Sequence, residues 1–435
     1  MSEKPESKQE MIERLLSQWR RVLEEKLPEE PGTLEEIERI TEEIGSDIKR
    51  DMEESCASRH GSGYAGPKLA CRCGGVAEFK EYHNKRHVTL SSELVIARAY
   101  YYCKKCGSGF SPLDAKMGLD SFCTSIGVRS KLGRLAVWIP FERLSRELVD
   151  LCDVHLSKNT IERVSESMGE QVKLERSRCE REVFSGNAEE ATAKPSRLYI
   201  GIDGTGVPMR GGGTRESKTG VIYETRERGE KTEVVNSEYL GTLERVDSFG
   251  EQVYARAYLR GVENAGEVVC LGDGASWIWR SFAHHYPKAV QILDYFHASE
   301  HLGMVANAWY GEGTDKAKRW LEARQYDLLS DYVETVIKSI RSWKPIDDES
   351  SEVRRKNLHY FTTNKDRMRY ATFKAQGYHI GSGLVESACK TVVGMRLKQS
   401  GMRWSEYGAE SMPHLRSLLL SEQSVDLRTY ARAIN

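Results

Sequence analysis

Apolar residues recur at helical spacing near the start of the chain. Ile12, Leu15, Leu16, Trp19, Val22 and Leu23 fall three or four apart on a charged background, the pattern of an amphipathic helix. The break "LPEEPGT" ends it, and Thr33 with Glu36 three residues on predicts a capped second helix. Residues 7–55 therefore read as two acidic amphipathic helices, either a hairpin packed on itself or a dimerisation element. Further on, "HVTLSSELVIARAYYYC" has the composition of strands. Residues 130–170 return to helical spacing: Leu144, Leu148 and Leu151 make one stripe, and Ile161, Val164 and Met168 the next. Ser157 stands at the cap position of the second helix. This helix, short turn and helix suit a helix-turn-helix offering Lys158, Asn159 and Arg163 to DNA, or a plain helical hairpin.

After the polar boundary "NAEEATAKPS" the pattern changes. "RLYIGIDGTGVPM", "KTGVIYETRE" and "EVVNSEYLGTL" read as three strands, followed by a helix over "DSFGEQVYARAYLRGV". Then come strand "EVVCLGDGASW", helix "IWRSFAHHYP", strand "AVQILDYFH" and helix "ASEHLGMVANAWY". This β-β-β-α-β-α-β-α order is that of a ribonuclease-H-like core. Residues 305–375 are helical, charged and strand-free, with Trp309, Trp320 and Trp343; they read as an α-helical insertion. Ser382 is placed to cap a closing helix that carries Glu386. The expected fold is multidomain α+β: an acidic helical region over 1–60, a zinc ribbon over 66–116 and a helix-turn-helix-like region over 117–186. The ribonuclease-H-like α/β core follows over 197–304, is interrupted by the insertion over 305–375 and is completed by 376–435.

Composition changes this picture in two places. Hydrophobic residues are 39% and charged residues 30% of 435, a globular balance. No apolar run approaches the length that spans a bilayer, and the charged N-terminus carries no signal-peptide core, so a cytoplasmic protein is expected. In that reducing setting paired cysteines read as metal ligands. Of ten cysteines, Cys71 and Cys73 form one knuckle and Cys103 and Cys106 another, each followed by glycine and joined by strands. Four such thiolates predict a structural Zn²⁺ site. His83 and His87, mid-strand between the knuckles, are expected at the surface. The net charge of −1 is not that of a typical nucleic-acid binder, so DNA contacts have to come from local patches.

The strand pattern places one carboxylate, Asp203, at the head of a glycine-rich turn, and another, Asp273, at the end of the fourth strand. In the expected topology these strands are neighbours, and two close carboxylates repel unless a cation neutralises them. Glu386 on the late helix completes three hard oxygen ligands, which suit Mg²⁺ or Mn²⁺. Asp294, in "DYFHASEH", is a rival for the second carboxylate. His297 and Glu300 follow it at a strand-to-helix junction; His297 is placed either to reach a phosphate or to begin a helix. Beyond Glu386 a basic patch of Lys390, Arg396, Lys398 and Arg403 has no acid between Ser387 and Ser405, which suits a phosphate backbone. Trp404 either stacks on an unpaired base or packs in the core.

"IDGTGVPMR", "LGDGASWIWR", "DYFHASEHL" and "GSGLVESACK…LKQSGMRWS", with the ribbon end "YYYCKKCGSGFSPLD", resemble the ISKra-type bacterial insertion-sequence transposases over roughly residues 70–420. The resemblance implies a DDE transposase with a helical insertion, its acids on Asp203, Asp273 and Glu386 and an Asp-x-x-His signature on Asp294 and His297. It implies DNA as partner, with transposon ends cleaved and their 3′-OH transferred to a target by two-metal chemistry. A homodimer or higher oligomer on DNA is expected, associated with the nucleoid when bound. The competing readings are a nuclease or resolvase on the same core, which cuts without joining, and a non-catalytic DNA-binding regulator.

Overall fold

Both N-terminal helices open with reciprocal capping boxes. In α1 (Lys8–Lys26) these are Ser7 and Glu10, and in α2 (Leu34–Ser58) Thr33 and Glu36. Each box satisfies backbone N–H groups that a first helical turn leaves unpaired. The helices lie antiparallel: Lys26 Nζ bridges Glu43 at 2.6 Å and Asp47 at 2.9 Å, while Gln18 reaches Asp51 at 2.9 Å. Met11, Leu15 and Ile44 are buried. In this computed structural model residues 6–30, 32–228, 231–381, 383–421 and 425–433 are described. They divide into two units, one running to Ser165 and including the segment from Asp426, the other spanning Glu166–Val425. Among the described residues no helix is long and apolar enough to cross a membrane.

In the first unit four antiparallel strands follow α2 as a meander: β1 (Lys68–Ala70), β2 (Val76–Val88), β3 (Glu93–Cys103) and β4 (Ser108–Phe110), in that spatial order. Tyr101 anchors them, fully buried; its hydroxyl donates to Gly66 O at 2.8 Å and accepts from Ala65 N at 2.9 Å. His83 is half-buried, its ring stacked on Tyr100 at 4.4 Å, and His87 is only 5% exposed, a correction to their surface placement. Burial holds the His87 ring well below the usual histidine range, at about 4. Helices Ile126–Ala136, Phe141–Cys152 and Lys158–Phe184 follow. Ser157 caps the last, its Oγ accepting from Thr160 N at 3.2 Å. Leu144 and Leu148 are buried, but Leu151 is 76% exposed, because its helix ends one residue later, at Cys152, and the chain turns at Asp153 in the left-handed region. The boundary between the units falls inside helix Lys158–Phe184.

The second unit is a five-stranded mixed sheet with helices: β5 (Arg197–Pro208), β6 (Thr214–Arg228), β7 (Lys231–Thr242), β8 (Glu267–Gly272) and β9 (Val290–Leu293), in spatial order β7-β6-β5-β8-β9. β5 pairs antiparallel with β6 and parallel with β8; β6 and β7 are antiparallel, β8 and β9 parallel. Long strands close together in the sequence run antiparallel, whereas helices Val246–Leu259 and Ser276–His285 make the crossovers that parallel strands need. The central strand β5 is apolar on both faces, with Leu198, Tyr199, Ile200 and Ile202 all buried, as a strand covered on both sides must be. Helices Tyr295–Tyr310, Asp315–Leu329, Val333–Ser342 and Asp348–Asn364 separate β9 from the closing segment. Trp309 stacks on Trp343 at 5.5 Å and tilts against Trp320 at 5.8 Å, so the three tryptophans are this region's packing centre. The chain then forms helix Gly383–Ala388, a π-helical turn over Cys389–Gly394 and helix Glu406–Leu420. Ser382, the expected cap, lies outside the described residues.

Candidate functional site

The four cysteines converge. Sγ of Cys71 lies 3.7 Å from that of Cys106, Sγ of Cys73 3.7 Å from that of Cys103, and all four sulfurs fall within 4.8 Å of one another. A tetrahedral Zn²⁺ with Zn–S bonds of about 2.3 Å holds its sulfurs roughly 3.8 Å apart, so the donor set fits that ion in type and spacing. The knuckles are shaped by Gly74 and Gly107, at φ 74° and 69°, where a side chain is strained. These turns direct Gly74 N to Cys71 O and Gly107 N to Cys103 O, each at 2.9 Å. The tight Cys71-x-Cys73 spacing is thus compatible with four-thiolate coordination.

The second site is a cavity of about 400 Å³ beside the middle of β5 and the end of β8, lined by Asp203, Asp273, His297, Glu300, Glu386, Cys389, Lys390 and Lys398 among others. Asp203 stands inside β5, which stays paired with β6 through Pro208, and not at the head of a turn as expected. Its geometry follows from strand register. Gly201 of β5 is level with Leu271 of β8, so Asp203 and Asp273, each two residues further on, reach the same height on adjacent chains about 4.8 Å apart. Glu386 arrives from above. A Cβ on Gly201 would lie 2.1 Å from Val385 Cγ2, so only glycine lets the helix carrying Glu386 sit on β5. Burial, chiefly, holds the Asp203 carboxyl above its ordinary value, with a further push from Asp273; hydrogen bonds from the Cys389 thiol and Gly204 N (2.6 Å) oppose this. A carboxylate pair strained in this way accepts a hard cation, and the three acids fit one in chemical type.

The rival carboxylate is elsewhere. Asp294, 2% exposed, caps helix Tyr295–Tyr310 by accepting from His297 N at 2.9 Å, and it does not line the cavity. His297 Nδ1 lies 3.3 Å from Glu300 Oε2, so both reach the cavity as a pair. One member of the basic patch needs correction, and Trp404 takes the core-packing alternative. Arg396 is 1% exposed, its guanidinium 5.0 Å over the ring of Trp404, which is itself 4% exposed and donates Nε1–H to Leu397 O at 3.0 Å. Neither presents a surface to DNA; their alternation with exposed neighbours was hidden because the chain here is not a regular helix. Lys390, Lys398 and Arg403 are exposed, and Lys398 Nζ donates to Thr205 Oγ1 at 2.9 Å. Lys158, Asn159 and Arg163, which a helix-turn-helix would offer to DNA, are exposed. Lys158 lies 4.0 Å from Glu142, and Arg163 sits over the Phe122 ring at 4.7 Å.

Residues not anticipated line the cavity or brace its walls. Cys389, buried, sets its thiol against Asp203; its place three residues after Glu386 was the available signal. Tyr360, from the helical insertion, donates to Asp273 O at 3.1 Å, and its ring fills the space beside Gly274, which holds φ +103°. His301 stacks on Tyr360 at 3.7 Å and meets Asn357 at 2.7 Å. The insertion therefore braces the loop of the second acid.

A chain with these two centres on an α+β frame has relatives. The model of the uncharacterised protein family UPF0236 matches residues 76–429, and the chain belongs to that family. The UPF0236 protein in the vanSb 3′ region of Streptococcus gallolyticus is 23% identical over 344 residues, which cover 75% of this chain and 71% of that protein.

Proposed function

We propose that this protein is a DDE-type DNA transposase whose five-stranded sheet is a ribonuclease-H-like core. The observation that carries the reading is the meeting of Asp203, Asp273 and Glu386 in one cavity with Lys390 and Lys398, acids for cations beside bases for phosphate. The resemblance to insertion-sequence transposases supports it. Asp203, Asp273 and Glu386 would hold Mg²⁺ or Mn²⁺, and two such ions supply activation of the attacking oxygen and stabilisation of the leaving one. Lys390 and Lys398 hold the phosphate backbone in register. Glu300 orients His297 through Nδ1, leaving Nε2 to hold or pass a proton. The four cysteines bind a structural Zn²⁺, and DNA ends and target are the partners.

The test is incubation of the full chain and Mg²⁺ with DNA carrying the sequences that flank its own gene. Cut 3′ ends and joined products, both lost in Asp203→Asn, support the reading. Cutting without joining assigns the nuclease alternative instead. Binding without cutting, at a level Asp203→Asn leaves unchanged, removes the enzyme and leaves a regulator.

A further inference from the structure

The cavity of the acids holds one side chain that neither a cation nor a phosphate explains. Phe296 lines it beside His297 and Glu300 and is 59% exposed. Among the described residues the other lining side chains are carboxylates, amines, an imidazole, a hydroxyl and a thiol, apart from two glycines. A single apolar residue on an open surface needs no explanation. A hydrocarbon ring among ligands for charge is different, because it contributes to binding neither metal nor phosphate. The ring is also held in place. Asp294 caps the helix at its start, accepting from His297 N at 2.9 Å, and Tyr295 N donates to Ile380 O at 3.0 Å. Tyr295 meets the Phe296 ring edge-on at 5.6 Å. A Cβ on Gly381 would lie 2.8 Å from Phe296 Cε2 and 3.2 Å from Cδ2, so the backbone at Gly381 backs the ring closely.

We propose that Phe296 is a stacking platform for one unpaired base of the DNA, beside the phosphate that the three acids act on. This rests on the transposase reading of the cavity and adds what the site takes in: a nucleotide drawn out of the duplex. On that reading Lys390 and Lys398 hold the backbone phosphate in the cavity they line with Phe296. The base joined to that phosphate has to lie in the cavity or at its mouth, and its flat face is the part of a nucleotide that an apolar ring complements. At about 400 Å³ the cavity is near the lower end of the volumes that hold a small ligand, room for a single nucleotide and not for a stacked duplex. Every base has a π-face, so Phe296 selects for an opened strand and not for a sequence. A base already unpaired, as at a frayed or nicked end, spares the cost of unstacking and binds best.

The test uses the full chain without added Mg²⁺ and two DNAs of the sequence that flanks its own gene, one blunt and one ending in an unpaired iodouracil. Near-ultraviolet light should cross-link the iodouracil to the peptide that carries Phe296, as mapped by mass spectrometry. Phe296→Leu keeps apolar bulk and loses the flat face. It should lose the cross-link and bind the open-ended DNA about tenfold more weakly, with blunt-DNA affinity and melting temperature unchanged. Phe296→Trp should keep both the cross-link and the affinity. A cross-link to another peptide, or a Phe296→Leu chain that binds both DNAs as wild type does or loses both alike, would overturn the stacking role. DNA is still bound by wild type in those outcomes, so the transposase reading survives them. A wild-type chain that binds neither DNA removes that reading and the stacking role together.

Discussion

Asp203 and Asp294 divide at the residue scale by what surrounds each carboxylate. Asp203 faces a second acid across neighbouring strands, while Asp294 is spent on a helix start. Asp203→Asn, Asp273→Asn or Glu386→Gln should each lower DNA cleavage by several orders of magnitude, the scale of losing metal charge stabilisation. DNA affinity in a filter or mobility assay should persist in all three. Asp294→Ala should instead cost about 1–2 kcal/mol in chemical denaturation and leave the cleavage rate of the folded fraction near wild type. An Asp294→Asn variant that abolished cleavage while folding normally would reverse this assignment. The positions of Asp203 and Asp273 were readable from sequence because strand periodicity puts the first on β5 and the Asp273-Gly274 turn puts the second at the end of β8. Arg396 and Trp404 were not, because a buried arginine looks the same in sequence as an exposed one until its tertiary partner, here an indole ring, is known.

Elements hold these residues by a few close approaches. Gly201→Ala forces a methyl into Val385 and should cost about 1–3 kcal/mol, displacing Glu386. Val385→Ala in the same chain should recover most of that loss, and a double-mutant cycle with no coupling would refute the close approach. Helix Glu406–Leu420 is tied to β7 through Glu410, which accepts from Thr242 Oγ1 at 2.8 Å and Leu243 N at 2.5 Å, with Lys173 at 3.1 Å. Burial raises this carboxyl, but the His414 ring, the Leu243 N–H and Lys173 outweigh it and pull it to about 2. A depressed carboxyl stabilises the fold above its unfolded value and loses that contribution as pH falls through the folded one. Glu410→Gln should therefore be less stable than wild type at pH 7 by on the order of 3 kcal/mol. The difference should close as pH falls from about 5 toward 2, read by urea midpoints at each pH. The three antiparallel strands, the crossovers and the insertion were legible because their hydrophobic periods differ. The π-helical turn over Cys389–Gly394 was not; the single extra residue per turn leaves no trace in a pattern that short, though such turns gather at functional sites.

On the proposed reading, the whole molecule depends on one metal for folding and on another for chemistry. Chelating zinc should release hydrogen-exchange protection in β1 to β4, whose knuckles the four cysteines close, and leave β5 to β9 protected. Metal analysis should find about one zinc per chain. DNA binding should follow the exposed bases alone: charge reversal at Lys390, Lys398 and Arg403 should flatten the salt dependence by nearly one unit of slope for each phosphate that is no longer neutralised. Arg396→Ala should lower the melting temperature instead. The placement of Glu386 has one more consequence, in time rather than space. Asp203 and the helix that covers Gly201 lie far apart in the chain, with the insertion between them. At ordinary ribosomal rates that stretch takes on the order of ten seconds to synthesise. For the latter part of that interval, once Asp273 has been made, the emerging chain holds two of its three acids with nothing to close the cavity over them, so any chemistry that needs all three waits until synthesis is nearly done.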